Sequence, residues 1–245
     1  MDPAASSFAK ALKRVKSRVA HAVISVLRRL PAVWHQRAAE FGQSVEFAFW
    51  VTQTFGAESA FFATRERLWR RMISCLRRDA TVTVYEFGVA YGHTTRWWLS
   101  RCSLIDRWYG FDTFTGLPRA WRHFPAGAFD AGGVPPEIAD ARIEWIVGKV
   151  EDTFAAGHPP LESSKDDRDA QRVFLFDLDL YEPTKCVAER VFPQLRPGDL
   201  VYFDEAAHWD ERRVLIEELS HAPTSPALLG ATPMALALQA VPSPD

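Results

Sequence analysis

The chain has 245 residues, 47% hydrophobic and 24% charged, an ordinary balance for a soluble globular protein. Its formal net charge of −2 argues against a nucleic-acid binder, which carries a basic excess. Three well-separated cysteines, Cys75, Cys102 and Cys186, exclude a disulfide framework and give no zinc spacing, so a cytoplasmic location is expected. No apolar run approaches the roughly 18 residues of a transmembrane helix.

In chain order, the first forty residues stand apart. Lys10, Lys13, Arg14, Lys16, Arg18, Arg28, Arg29 and Arg37 face only Asp2 and Glu40. Leu12, Val15, Val19, Val23, Val26 and Leu30 recur every three or four residues, so the stretch reads as a basic amphipathic helix. Residues 1–45 are therefore expected to form a helical extension. Its apolar stripe would meet its own domain, a partner subunit in a homo-oligomer, or a membrane surface. A signal peptide fits poorly, because His21 and Ser25 interrupt the apolar region and Arg28-Arg29 follow it.

Residues 46–245 read as the main domain. Glu46 to Arg78 has a helical pattern, and strands and helices then alternate. Thr81 to Val89, Trp108 to Phe114, Ile143 to Val150, Val173 to Leu180 and Leu200 to Phe203 read as strands, with Ala235 to Val241 as a last one. His93 to Cys102, Glu182 to Phe192 and Asp210 to Ser220 read as helices. A Gly/Pro/aromatic loop runs from Thr115 to Asp140, and Gly157 to Arg168 is a polar surface loop. This alternation predicts an α/β, Rossmann-like fold: a mostly parallel sheet with helices on both faces.

Ligands bind such sheets at the carboxyl ends of the strands. After the first strand comes Glu86-Phe-Gly88-Val-Ala-Tyr-Gly92-His-Thr94-Thr95, a glycine turn into a helix whose first N–H groups are free and which Thr94 or Thr95 could cap. Asp112, followed by Thr113, ends the second strand, where a carboxylate can accept both ribose hydroxyls of an adenosine ligand. The spacing G-x-x-x-G departs from the G-x-G-x-x-G of a dinucleotide site. Glu86 would repel a pyrophosphate but welcome the ammonium and sulfonium of S-adenosylmethionine. By the same logic of strand ends, Gly148 is expected near the adenine.

Three segments carry a family resemblance. Tyr109-Gly-Phe-Asp112-Thr-Phe-Thr-Gly116-Leu-Pro118 is similar to the G-F-D-S/T-F-x-G-L/I-P segment of the macrocin O-methyltransferase type of class I methyltransferase. Phe176-Asp177-Leu-Asp179-Leu-Tyr181-Glu-Pro-Thr184 resembles its aspartate-rich fourth strand. Arg196-Pro-Gly198-Asp199 followed by Phe203-Asp204-Glu205 resembles its proline–glycine turn and acidic pair. The likeness spans about Thr81 to Leu219. It implies a seven-stranded class I fold, S-adenosylmethionine as methyl donor, and a sugar or other small-molecule hydroxyl as acceptor in natural product biosynthesis. It also implies a magnesium ion on Asp177, Asp204 and Glu205, with Asp177 beside the cofactor and Asp179 as general base. This chain departs from the pattern in carrying Asp-Glu where those members end the fifth strand in Asp-Asp.

Methyl transfer to a hydroxyl is an in-line displacement in which the acceptor loses a proton, and a carboxylate or histidine can take it. Beside Asp179, His208 is the second candidate base. The long loop, with Trp121, His123, Phe124 and Phe129, is either a lid over the acceptor or a surface excursion packed by its own aromatics. Two other functions stay open on sequence: a nicotinamide oxidoreductase, disfavoured by the missing third glycine and by Glu86, and a non-catalytic module that binds S-adenosylmethionine.

Overall fold

The computed structural model describes residues 16–26, 28–29, 31–157 and 170–243. Two compact units meet between Val45 and Glu46. In the first, residues 16–26 are helical and a turn follows at 28–29. The expected single helix therefore breaks: Pro31 has no N–H to give, and α1 (Ala32–Phe55) starts just after it. Residues 1–15 of that expectation lie outside the described ones. No helix among the described residues is long and apolar enough to cross a membrane.

The second unit begins within α1. Gly56, with φ +99, ends that helix and donates its N–H to the carbonyl of Thr52. The helical pattern of Glu46 to Arg78 thus divides, and α2 (Arg65–Ser74) starts afresh, capped by the Thr64 side chain. Seven strands follow: β1 (Val82–Phe87), β2 (Ile105–Asp112), β3 (Ile143–Val147), β4 (Gln171–Phe176), β5 (Leu200–Phe203), β6 (Thr224–Ala231) and β7 (Leu236–Pro242). Their order is β3-β2-β1-β4-β5-β7-β6. The first five are parallel, and β7 runs antiparallel to both β5 and β6. The connecting helices are α3 (His93–Leu99), α4 (Val150–Ala155), α5 (Tyr181–Val191) and α6 (Trp209–Glu218).

Two expectations change here. The third strand stops at Val147 rather than running on to Val150, which instead opens the short helix α4. β6 carries no strand pattern in the sequence, because Pro226 and Gly230 interrupt it. Proline is tolerated there because β6 is an edge strand. Gly230 is required: a β-carbon on it would stand 2.4 Å from the Phe62 ring.

Both faces of the sheet are buried. Tyr85, Phe87, Tyr109, Phe111, Phe174, Phe176, Val201 and Phe203 face α5 and α6 with Phe47 and Val51 of α1. Val82, Val84, Trp108, Val173, Leu175, Leu200 and Tyr202 face Leu68, Trp69 and Met72 of α2 and Trp97 and Trp98 of α3. This period-two split fixes where each carboxylate at a strand end points.

Candidate functional site

Glu86 shares its parity with Val82 and Val84, so its side chain enters the α2–α3 face. It is 2% exposed. Its Oε2 accepts hydrogen bonds from Thr95 Oγ1 at 2.5 Å and from Trp108 Nε1 at 2.9 Å. Burial, partly offset by these donors, pushes its pKa up to about 8. The expected direct contact with a ligand ammonium is therefore corrected: Glu86 lies under the glycine turn and ties α3 to β2. Thr95 is spent on that bond, so neither threonine caps α3. Gly92 stands at its N-cap without a side-chain bond, and Thr94 is half-buried.

The turn above Glu86 is held from the next strand. Asp112 Oδ2 accepts the N–H groups of Val89 and Ala90, both at 2.8 Å, and Oδ1 accepts that of Phe114 at 2.8 Å. Thr113 beside it is half-buried, and Gly148 donates its N–H to the Asp112 carbonyl at 3.0 Å. Gly88, Gly92, Asp112, Thr113 and Gly148 are thus brought to one patch of the carboxyl edge. Gly88, at φ +91, is the hinge of the patch. A β-carbon there would lie 1.8 Å from the carbonyl oxygen of Asp177, so only glycine lets the β1 turn abut the end of β4.

Five carboxylates gather beyond that contact. β4 ends at Phe176, so strand alternation does not reach Asp179, which instead adopts a left-handed backbone at φ +63. Asp204, 9% exposed, accepts from Arg65 Nη1 at 3.1 Å and from the Tyr202 hydroxyl. Glu205 accepts from Arg122 Nη1 at 3.2 Å. Glu211 of α6, fully buried, accepts the Glu205 N–H through Oε2 at 3.0 Å, while its Oε1 has no partner among the described residues. Burial and then mutual repulsion raise Asp177 and Glu211 well above the carboxylate range. The same causes bring Asp179 to about 7 and Glu205 to about 8, with Arg122 pulling both down. His208 is spent in another way: it caps α6 and accepts the Asp210 N–H, and burial pushes its pKa down.

The Thr115–Asp140 loop reaches over this edge. Trp121 and Phe124 exchange backbone hydrogen bonds in a tight reversal and stack at 5.9 Å. Leu117 and Trp121 pack with Leu180, and Trp121 meets the His208 ring at 5.2 Å. Pro136 and Ile138 lie against Gly92. The loop is packed by its own aromatics and also covers both ends of the edge. Trp121 is one of the expected loop aromatics, whereas no motif in the sequence singles out Arg65, Arg122, Tyr202 or Glu211. Tyr202 was readable in principle, two residues before Asp204 on the same strand face. The others come from distant segments with no local pattern.

The magnesium expectation does not fit this arrangement. Asp177, Asp204 and Glu205 do share the edge, but Asp204 and Glu205 are turned to guanidinium groups. Among the described residues no three carboxylate, histidine or cysteine side chains converge on a point that could hold a metal ion.

No protein-family model and no curated protein matches this sequence. Solved structures do. The O-methyltransferase NovP aligns with 72% of this chain and 80% of its own, at 17% identity and a TM-score of 0.54. CalS11, a calicheamicin methyltransferase, covers 98% of this chain and 93% of its own, at 21% identity and a TM-score of 0.48. An O-methyltransferase from Bacillus cereus in complex with SAH covers 81% and 90%, at 13% identity and a TM-score of 0.43. The likeness to NovP bears on the fold, which is that of the Rossmann-like class I methyltransferases.

Proposed function

We propose that this chain transfers a methyl group from S-adenosylmethionine to a hydroxyl of a small molecule, a sugar or another natural product, as an enzyme of the macrocin O-methyltransferase type. One observation carries the reading: the glycine turn of β1 abuts Asp177, so a nucleoside-binding corner and a carboxylate cluster share one edge. The shared fold of the O-methyltransferase NovP supports it. The nicotinamide alternative gains nothing. A dinucleotide sheet runs 3-2-1-4-5-6, whereas here antiparallel β7 lies between β5 and β6.

The donor set of the corner fits S-adenosylmethionine. An ionised carboxylate has about four acceptor positions, and three N–H groups take three of those on Asp112, which leaves room for a ribose hydroxyl. Asp177, whose main-chain carbonyl abuts Gly88 and whose side chain is half-buried, is the acidic group offered to a cationic ligand in place of the buried Glu86. When bound, S-adenosylmethionine supplies an electrophilic methyl carbon on a sulfonium.

The remaining work belongs to the chain. Asp179 takes the proton of the acceptor hydroxyl, and its position near neutrality suits a base working around pH 7. Its left-handed backbone holds it at the mouth of β4. Trp121 and its aromatic neighbours exclude water from above.

The test is calorimetry followed by turnover. The protein should bind S-adenosylmethionine and not NAD, and should methylate a member of a panel of glycosides and nucleotide sugars. Binding of NAD alone would overturn the reading.

A further inference from the structure

Five carboxylates at one edge need compensating charge, because ionised groups leaving water repel one another unless cations or protons intervene. Among the described residues, two guanidinium groups bond to the cluster. Arg65 enters from α2 and lies 5.3 Å over the Trp69 ring. Arg122 enters from the loop, and its pair with Glu205 is the more enclosed: the side chains are 13% and 19% exposed, against 39% for Arg65. We propose that Arg122 takes the place of a divalent cation in this site, so that the methyl transfer proposed above proceeds without a metal.

The position of Arg122 is built rather than incidental. Its backbone is left-handed, at φ +52, inside the Trp121–Phe124 reversal, and its guanidinium lies 5.1 Å over the Trp121 ring. Trp121 is in turn fixed against Leu180 and His208. A non-glycine residue persists in that backbone region only where its surroundings over-determine it. Guanidinium keeps its charge at every accessible pH. It therefore cannot make way for a metal by losing a proton, and a divalent ion bonded to Glu205 would face a fixed positive charge about one hydrogen-bond length away. Magnesium also demands near-octahedral oxygen ligands, whereas a planar guanidinium meets a carboxylate with no such demand. The extra methylene of Glu205, compared with the aspartate in the resembling family, gives its carboxylate a longer reach toward the loop.

Arg122 is a positioning residue. It orders Glu205 and sets the charge that surrounds Asp179. Because it rides on the loop, the compensating charge is in place only when the loop lies over the edge.

Titration of magnesium and manganese chloride into the EDTA-treated full chain tests this, with S-adenosylmethionine binding measured on the same samples. The wild type should show no stoichiometric ion binding. Arg122→Met, which keeps the bulk and removes the charge, should gain a site at least about tenfold tighter. Arg122→Lys, which restores a charge, should lose that gain. One equivalent of magnesium bound by the wild type as tightly as by Arg122→Met overturns the proposal, and so does equal binding by the Met and Lys variants. Should Arg122→Met fail to fold, the wild-type titration decides alone. Loss of S-adenosylmethionine binding would sink the enzymatic reading without touching the ion result.

Discussion

The two ends of the carboxyl edge handle acidic residues in different ways. At the β1–β2 end, Glu86 and Asp112 are held by neutral donors: a hydroxyl, an indole and three backbone N–H groups. At the β4–β5 end, five carboxylates crowd around two guanidinium groups, and one buried oxygen of Glu211 has no partner among the described residues. Neutral donors fix geometry without storing charge, so the first end is a rigid seat. The second end is poised to take up protons or a cationic ligand, because its charges are not fully met. Chemistry that moves a proton belongs there.

The largest expected effect comes from breaking the contact between the ends. Gly88→Ala puts a β-carbon 1.8 Å from the Asp177 carbonyl, at a backbone angle that alanine resists. The loss should reach about 3 kcal/mol or more, or the variant should not fold. Urea unfolding within about 0.5 kcal/mol of wild type would mean that the ends do not abut.

A pair of isosteric changes then separates the ends by function. Asp112→Asn puts an amide where an acceptor serves several N–H groups, so S-adenosylmethionine affinity should fall about a hundredfold, some 2.7 kcal/mol. Asp179→Asn should leave that affinity within about threefold and lower turnover about 10²-fold or more. If both variants lost binding equally, the division between seat and cluster would fail.

Glu86→Gln tests the rigid end by pH. Its carboxyl titrates near 8 in the folded chain against a usual 4.5, so the folded state holds the proton more tightly. The stability it contributes is complete below about pH 4.5 and is lost as pH rises toward 8. One such group gives a slope of at most about 1.4 kcal/mol per pH unit. Asp179 and Glu205 add slope of the same sign, since both are raised by burial and crowding. The glutamine variant should remove one group's share and leave the remainder, as read from denaturation series between pH 5 and 8.

The sheet was legible because β-branched and aromatic runs alternate with helical patterns, and the glycine turn because its spacing is local. The orientation of Glu86 was not legible. β1 is buried along its whole length, and its two polar residues, Thr83 and Glu86, fall on opposite faces, so the alternation marks no solvent side from which to fix the parity. β6 was hidden by Pro226, which only its edge position permits. Four of the five clustered carboxylates could be gathered from the resembling segments, but Glu211 and the two arginines could not. Arg65 and Arg122 are 139 and 83 residues away in sequence from Asp204 and Glu205, and nothing local in their segments announces the pairing.

The smallest effect should come three residues from Arg122. Arg119 bonds both oxygens of Glu182, at 3.1 and 2.5 Å, a geometry as good as any on the loop. Yet the two side chains are 54% and 59% exposed, so water screens the pair and ordering two long side chains offsets most of the attraction. Arg119→Ala should cost no more than about 0.5 kcal/mol, and added salt should shrink even that. Denaturation at low and high ionic strength reads it directly. A loss above about 1.5 kcal/mol would mean that the loop is fastened at its rim rather than at the enclosed Arg122, and the contrast between a built charge and a solvated one on the same loop would not stand.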